Sequence, residues 1–435
     1  MRVGLGARLV AELTRQGVHA IDNGRACTQA SRDYSWLSPV LAGRLPPLGA
    51  EAVAYPQGAD ELAAVISTAC RMEVPLTLRG RGTGNYAQAV PLLQGLVVDL
   101  TRMSRVLSWG EGFAWVEPGL TCSVLEKQAR TMGQELALYP STTFSTLGGF
   151  LGGGAGGAGS IENGLVWDGF VSGLQVAACR QDPSLHLVRN GATRPFLHSY
   201  GTTGVIIAAK VALRPATDWS GLLASFAAWE PAVAAAQHLL GSEVRLRFLG
   251  VTDAELACLL ACPNLAPGLT SLRAVVETRS LQHAISMLKH HGGQVDAYGP
   301  SLVDAVTFRS FNHVTLRAKR QDPGLCHLQV AGDALIERSQ EVRRCLARGQ
   351  LHLDAMTSNG TVGFGGLLLG SYLNEARLYE AMTELKSVGV EVVNPHTWLV
   401  NDPDGSMATM AALMDPAGLL NPGKLQRMRN CQPAH

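Results

Sequence analysis

The chain is poor in charge. Of its 435 residues only 16% are Asp, Glu, Lys or Arg, while 46% are hydrophobic; an ordinary soluble chain carries about 25% charged residues. Its 36 basic and 35 acidic side chains leave a formal charge of +1. Such a balance gives no global electrostatic reason to bind nucleic acid or an anionic membrane. Disorder is excluded by the same composition, because ample apolar material offsets chain entropy. No run of about eighteen uncharged apolar residues occurs, so no membrane span is predicted. Arg8 and Glu12 interrupt the opening MRVGLGARLVAELTRQG, which reads as an amphipathic helix and not as a signal peptide.

Chemistry-bearing motifs are scarce as well. The nine cysteines are odd in number and lack paired spacing. A chain this long needs no disulfide framework, and a reducing cytoplasm is the expected setting. Cys258 and Cys262 are expected as small buried hydrophobes sharing a helix face. No spacing of His, Cys, Asp and Glu argues for zinc, so no metal site is predicted. G-x-S-x-G is absent, which leaves an α/β-hydrolase elbow unsupported.

Glycine is what the chain has in excess. There are 48, where about 7% of residues would be usual. Residues 148–160 read GGFLGGGAGGAGS, without the three-residue period of collagen. A helix is predicted from Ala59 to Met72, then a strand at 75–79 that runs into RGRGTG. Further strands are expected at GLVVDL and FAWVEPG, a helix from the N-cap Thr121 through Arg130, and strands near 173–178 and 204–213. After Pro215 the pattern becomes an alternation of strands and helices. Thr252 and Glu255 have capping-box spacing ahead of ELACLLA, and helical runs recur near 279–291, 332–347 and 374–387.

Phosphate-loop expressions are abundant but uneven in worth. Gly418 to Lys424 fits G-x-x-x-x-G-K, yet Leu425 stands where Ser or Thr is needed and Pro422 lies inside. GTGNYA at 82–87 fits a Rossmann fingerprint, but Pro91 leaves no room for the crossover helix, so a nicotinamide-binding reading is the poorer one. The simpler reading is three small-residue loops, RGRGTG, 141–160 and YGTTG at 200–204. Their backbone N–H groups can converge on a pyrophosphate and let a large, flat or extended ligand approach closely.

VPLTLRGRGTG, LVVDLTRM, VEPGLT, PSTTFSTLGGFLGGGAGG and SYGTTGVI occur in the order and spacing of a known domain. They resemble the FAD-binding domain of the vanillyl-alcohol oxidase and p-cresol methylhydroxylase (PCMH-type) flavoproteins, nearest the branch of glycolate oxidase subunits and D-lactate dehydrogenases. DPAGLLNPGKL at 415–425 is similar to that branch's C-terminal signature. The resemblance implies an α+β fold: a two-part PCMH-type FAD-binding domain and a cap domain with a mainly antiparallel sheet covered by helices. The expected division is an N-terminal helical arm at 1–47, the FAD-binding domain at 48–217, the cap at 218–400, and a segment at 401–435 returning to the FAD domain.

By that resemblance, Gly80, Arg81, Gly82, Thr83, Gly84 and Asn85 would wrap the pyrophosphate. Ser141, Thr142, Gly148, Gly149, Gly152 and Gly153 would line the flavin and ribityl side. Gly201, Gly204 and Ile206 would border the adenosine and the middle of the cofactor, and Asn421 and Lys424 would close the site. Thr83 stands where covalent relatives often carry histidine, and 139–160 contains no cysteine, so FAD is expected to be non-covalent. The cap motif H-x-G-D-G-N-x-H of the metal-dependent 2-hydroxyacid branch is absent.

The cap should supply the groups that orient and deprotonate a substrate beside the flavin. Read as a strand, RSFNHVTLR at 309–317 places Arg309, Phe311, His313, Thr315 and Arg317 on one face. His313 would act as base, and Arg309 and Arg317 would bind an anion. His396, in NPHTW after a turn fixed by Asn394 and Pro395, is the second candidate base, at the return to the FAD domain. Tyr298 and Tyr372 are further proton-donor candidates. The expected activity is hydride removal from the alcohol carbon of a small polar substrate, a hydroxy acid or polyol, with electrons passing to a quinone, carrier protein or oxygen. The alternative from another class is a non-catalytic FAD-binding subunit of a multi-subunit oxidoreductase.

Overall fold

The computed structural model describes residues 4–47, 49–262 and 264–426. Residues 1–3 of the arm, Leu48, Pro263, and 427–435 of the C-terminal segment lie outside the described residues. The fold is α+β and, among the described residues, is built on three sheets of four, six and eight strands.

The four-stranded sheet has the order Ala20–Ile21, Ala52–Ala54, Leu96–Asp99, Leu76–Arg79, the last three mutually parallel. Helix Ala59–Met72 buries Leu62, Val65, Ile66 and Ala69, an i, i+3, i+4, i+7 stripe, against it. Leu62, Val65 and Ile66 each contribute roughly 1.5–3 kcal/mol on burial. Helix Leu5–Arg15 packs Leu9 and Leu13 into the same core, and Ala20–Ile21 is an edge strand paired with Ala54 and Val53.

The six-stranded sheet is antiparallel and centres on the long strand Val205–Pro215, flanked by Phe113–Val116 and Val171–Ala177. Helix Cys122–Thr131 starts after Thr121, as the sequence suggests. Ala177, Val205 and Ile207 of the six-stranded sheet pack into the core of the four-stranded one.

The eight-stranded sheet is antiparallel throughout, in the order 294–299, 219–226, 270–277, 246–252, 350–358, 361–371, 325–331, 391–393. Period-two alternation gives it two distinct faces. Leu351, Leu353 and Ala355 point to a core formed with helices Trp229–Leu240, Leu281–His290 and Glu375–Ser387. Their alternates, His352, Asp354 and Met356, point the other way. Arg247, on strand Leu246–Thr252, ties this sheet to the six-stranded unit. Its guanidinium donates to Glu135 at 3.0 Å, to Glu126 at 3.2 Å and to the Leu136 carbonyl at 3.0 Å.

Three local expectations are corrected. RSFNHVTLR is not a strand: Asn312–Gln321 is a helix, with Arg309 and Ser310 in the turn before it. Val314 and Ala318, four apart, pack against Leu256, Leu260, Leu325 and Leu367. Nine residues carry too short a period to separate the two patterns. The Thr252–Glu255 capping box does not form. Asp253 is the N-cap of helix Ala254–Leu259, and the Thr252 hydroxyl turns to His352 Nδ1 at 2.8 Å. Cys262 does not share a helix face with Cys258, because the helix ends at Leu259 and Ala261 turns left-handed at φ 48°.

Candidate cofactor and substrate site

A cavity of about 590 Å³ lies between the glycine loops and the outer face of the eight-stranded sheet, within the usual range of ligand sites of about 300–1,000 Å³. One wall comes from residues 78–89, 140–156 and 194–206. The other comes from 311–316, 329–331, 354–356 and 365–367.

The first wall brings together the predicted cofactor residues of all three loops. Gly80, Arg81, Gly82, Thr83, Gly84 and Asn85 line it, as do Ser141, Thr142, Gly148, Gly149, Gly152, Gly153, Gly201, Gly204 and Ile206. Two loops are stitched together by hydroxyls. Thr83 Oγ1 lies 2.7 Å from Ser145 Oγ, which donates to Thr142 Oγ1 at 2.8 Å. Asn85 Nδ2 is buried and has no hydrogen-bond partner among the described residues, leaving a donor for a ligand atom. A Cβ added at Gly152 would meet no protein atom within 4 Å; because the residue lines the cavity, that carbon would occupy ligand space.

Asn421 and Lys424 do not line the cavity; they grip the loop behind it. Asn421 Nδ2 donates to the carbonyls of Gln88 at 2.9 Å and Tyr200 at 2.6 Å. Lys424 Nζ donates to those of Gln88 at 2.8 Å and Val90 at 2.7 Å. Burial pulls the Lys424 ammonium down to about 7, with the Asp33 carboxylate opposing that shift.

Of the four expected catalytic residues, the cavity receives His313 alone. Its Nδ1 is buried without a hydrogen-bond partner among the described residues, and burial, with Arg317 and Arg320 nearby, lowers its pKa to about 4. The imidazole is therefore neutral near pH 7. His396 is buried elsewhere, between Ser38 and the His327 carbonyl. Arg309 donates to the carbonyls of Leu260 at 3.2 Å, Ala261 at 2.7 Å and Ala305 at 2.9 Å. Arg317 Nε donates to the Phe308 carbonyl at 2.8 Å. The shared face drawn for these residues does not exist, because on the observed helix and turn successive odd positions diverge. Tyr298 is exposed and, like Tyr372, lies outside the cavity.

Several cavity residues carry no sequence signal. Tyr86 follows the first loop, and its hydroxyl accepts from Asn312 Nδ2 at 3.0 Å and Gln329 Nε2 at 2.5 Å, spanning the two walls. Burial pushes its pKa up to about 12. His198 Nδ1 lies 3.1 Å from the Gly154 carbonyl, and burial lowers its pKa. Asp354 also faces the cavity; an isolated acidic residue in LHLDAM gives no hint of that. Among the described residues no cysteine lines the site.

Residues 50–179 match the family model of the FAD binding domain. This segment is an FAD-binding domain. The resemblance in the glycine loops holds, and the domain is of the PCMH type. An uncharacterized FAD-linked oxidoreductase of Mycobacterium tuberculosis is 28% identical over 239 residues, 52% of this chain and 51% of that protein. The glycolate oxidase subunit of Bacillus subtilis is 29% identical over 201 residues, 43% of this chain and 41% of that one. A D-lactate dehydrogenase of Anaerostipes hadrus is 25% identical over an equal length. The chain thus spans about half the length, or less, of these curated relatives. A solved structure of alkyldihydroxyacetonephosphate synthase superposes with a TM-score of 0.74 at 16% identity, covering 96% of this chain and 86% of that one; it shares the fold.

The cofactor is FAD. The glycine cradle at Gly152, the unpartnered Asn85 amide and the hydroxyl chain from Thr83 to Thr142 suit a long polar ligand with a flat end. Among the described residues no helix is long and apolar enough to cross a membrane.

Proposed function

We propose that the chain is an FAD-dependent oxidoreductase that acts on the alcohol carbon of a small molecule. The observation that carries this reading is the two-walled cavity. Loops of the FAD-binding domain form one wall, and the sheet with helix Asn312–Gln321 forms the other. Bound FAD supplies the two-electron acceptor for a hydride. The chain's own groups hold the substrate against it. Asn312, Gln329 and the Tyr86 hydroxyl form a hydrogen-bonded triad across the cavity, and His313 offers a neutral ring nitrogen as a proton acceptor. The relatives named for glycolate, D-lactate and D-2-hydroxyglutarate support an alcohol carbon as the reacting centre. Electrons would leave to a quinone, a carrier protein or oxygen.

FAD is held without a covalent bond in this reading. Thr83 replaces the loop histidine of covalent relatives, and the cavity wall offers no thiol among the described residues.

The test is the visible spectrum of the purified protein, followed by anaerobic titration with a panel of hydroxy acids, polyols and simple alcohols. Bleaching of the flavin by a panel member is expected. Flavin that stays oxidised with all of them identifies a non-catalytic FAD-binding subunit instead. A colourless protein that cannot be reconstituted with FAD overturns the reading altogether.

A further inference from the structure

The substrate wall of the cavity has a carboxylate and no cation among the described residues. Arg309 and Arg317 are committed to backbone carbonyls outside it. The cavity's arginines, Arg79, Arg81 and Arg194, all come from the cofactor wall. Two of these are already engaged: Arg79 with the carbonyls of Ala30 and Arg32, and Arg194 over the Trp167 ring at 4.4 Å. The rest of the substrate wall is mostly apolar, with Phe311, Leu316, Met356 and Leu367 beside Phe144 from the loop opposite.

Asp354 is placed there by the sheet. It stands opposite Gly250 on one neighbouring strand and Gly365 on the other. Gly250 leaves room beside its side chain; a Cβ there would lie 3.1 Å from Asp354 Oδ1. Oδ2 accepts the Phe311 N–H at 3.0 Å. Oδ1 lies 2.9 Å from Nε2 of His352, which occupies the same strand face two residues earlier. His352 Nδ1 is 2.8 Å from the Thr252 hydroxyl, and that hydroxyl accepts from Arg273 at 2.7 Å. Nδ1 also lies 3.3 Å from the Arg273 guanidinium, which can only donate, so Nδ1 is the acceptor and the proton of the neutral ring sits on Nε2. Arg273, Thr252 and His352 form a buried hydrogen-bonded chain beside Asp354, whose Oδ1 accepts no hydrogen bond among the described residues although Nε2 lies 2.9 Å away. Asp354 Oδ1 thus stands at the cavity wall as a buried acceptor that takes no hydrogen bond from the described residues.

We propose that this cavity takes a neutral, largely apolar alcohol whose hydroxyl donates to Asp354, and that it rejects hydroxy acids. The inference rests on the oxidoreductase reading above and narrows its substrate class. A substrate carboxylate would have to sit in an apolar, desolvated space facing Asp354, with no guanidinium or ammonium on that wall to receive it.

The test is calorimetric titration of the FAD-loaded protein with cyclohexylmethanol and with each enantiomer of 2-cyclohexyl-2-hydroxyacetate. These share a ring and carbinol and differ by the carboxylate. The alcohol is expected to bind roughly tenfold or more tightly than either acid. Asp354→Asn should weaken the alcohol and improve the acids, so that the preference shrinks by roughly tenfold. Leu316→Lys, which leaves the polar chain intact, should turn the preference toward the acids and serves if the first variant does not fold. Equal or tighter binding of an acid by the unmodified protein overturns the proposal, as does binding of neither compound class or a preference unmoved by both variants. The flavin spectrum separates the two levels: a protein without flavin fails the cofactor reading, whereas a yellow protein with the wrong preference fails this inference alone.

Discussion

Nδ1 of His396 lies 2.7 Å from the hydroxyl of Ser38, a residue 358 positions earlier in the chain. The other ring nitrogen lies 2.8 Å from the His327 carbonyl and must donate to it, so Nδ1 is the acceptor and the ring is neutral. Ser38 caps helix Pro39–Arg44 by accepting the Leu41 N–H at 3.0 Å. One imidazole thus joins the N-terminal arm to a strand of the eight-stranded sheet. Its role in the geometry is structural.

Acid should loosen this junction. Burial lowers the His396 pKa to about 4 from an ordinary 6.5, and His313 is lowered to about 4 as well. Between those values the unfolded chain binds more protons than the folded one, so stability rises with pH across that window. The contribution is fully present above about 6.5 and is lost as pH falls toward 4, amounting to roughly 3 kcal/mol per histidine. Urea unfolding at a series of pH values checks this. His396→Gln should flatten the slope while lowering stability near pH 7; an unchanged slope would show that this ring does not govern it.

Arg309 should prove a structural residue as well. Its guanidinium satisfies three carbonyls, those of Leu260, Ala261 and Ala305. Arg309→Ala strands them, and each group left unpaired costs about 1–3 kcal/mol. A large drop in thermal midpoint with flavin content unchanged is the expected result. A fully stable variant with lost substrate binding would restore the anion-binding role.

Gly152→Val tests the cofactor wall directly. A Cβ there meets no atom of the described residues within 4 Å, and the position lines the cavity. Purified variant protein should be folded and colourless, with near-normal thermal midpoint without flavin. In the unmodified protein, acid precipitation should leave the flavin in the supernatant. Flavin in the pellet would mean covalent attachment, with His198 and His313 the cavity histidines to examine.

What could be read in advance follows the range of the interactions. The loop RGRGTG and the run 148–160 announce themselves because close ligand approach is a property of the local backbone. Likewise, helix Ala59–Met72 carries its apolar stripe and its boundaries within fourteen residues. The substrate wall is different in kind. Asp354 reaches the cavity because sheet pairing buries Leu353 and Ala355 on the opposite face, and His352 finds Thr252 100 residues away. Periodicity cannot report such pairings. In RSFNHVTLR it misled, because alternate residues of a strand and the buried Val314 and Ala318 of a helix fit the same nine letters.

Asn421 and Lys424 offer the sharpest test of how the C-terminal segment acts at a distance. Both donate to the Gln88 carbonyl, and each has a further partner, Tyr200 for one and Val90 for the other. Gln88 and Ala89 line the cavity, while the two gripping side chains do not. Lys424→Met and Asn421→Ala should each weaken FAD binding, by roughly tenfold, without deleting any cavity contact. Because the two side chains share one acceptor, losing either already frees the loop. The double variant should therefore fall short of the sum of the single effects. Flavin titration of the apoproteins measures all three. Strict additivity would mean that the two residues act on separate parts of the site, and that the grip on Gln88 does not set the position of the loop.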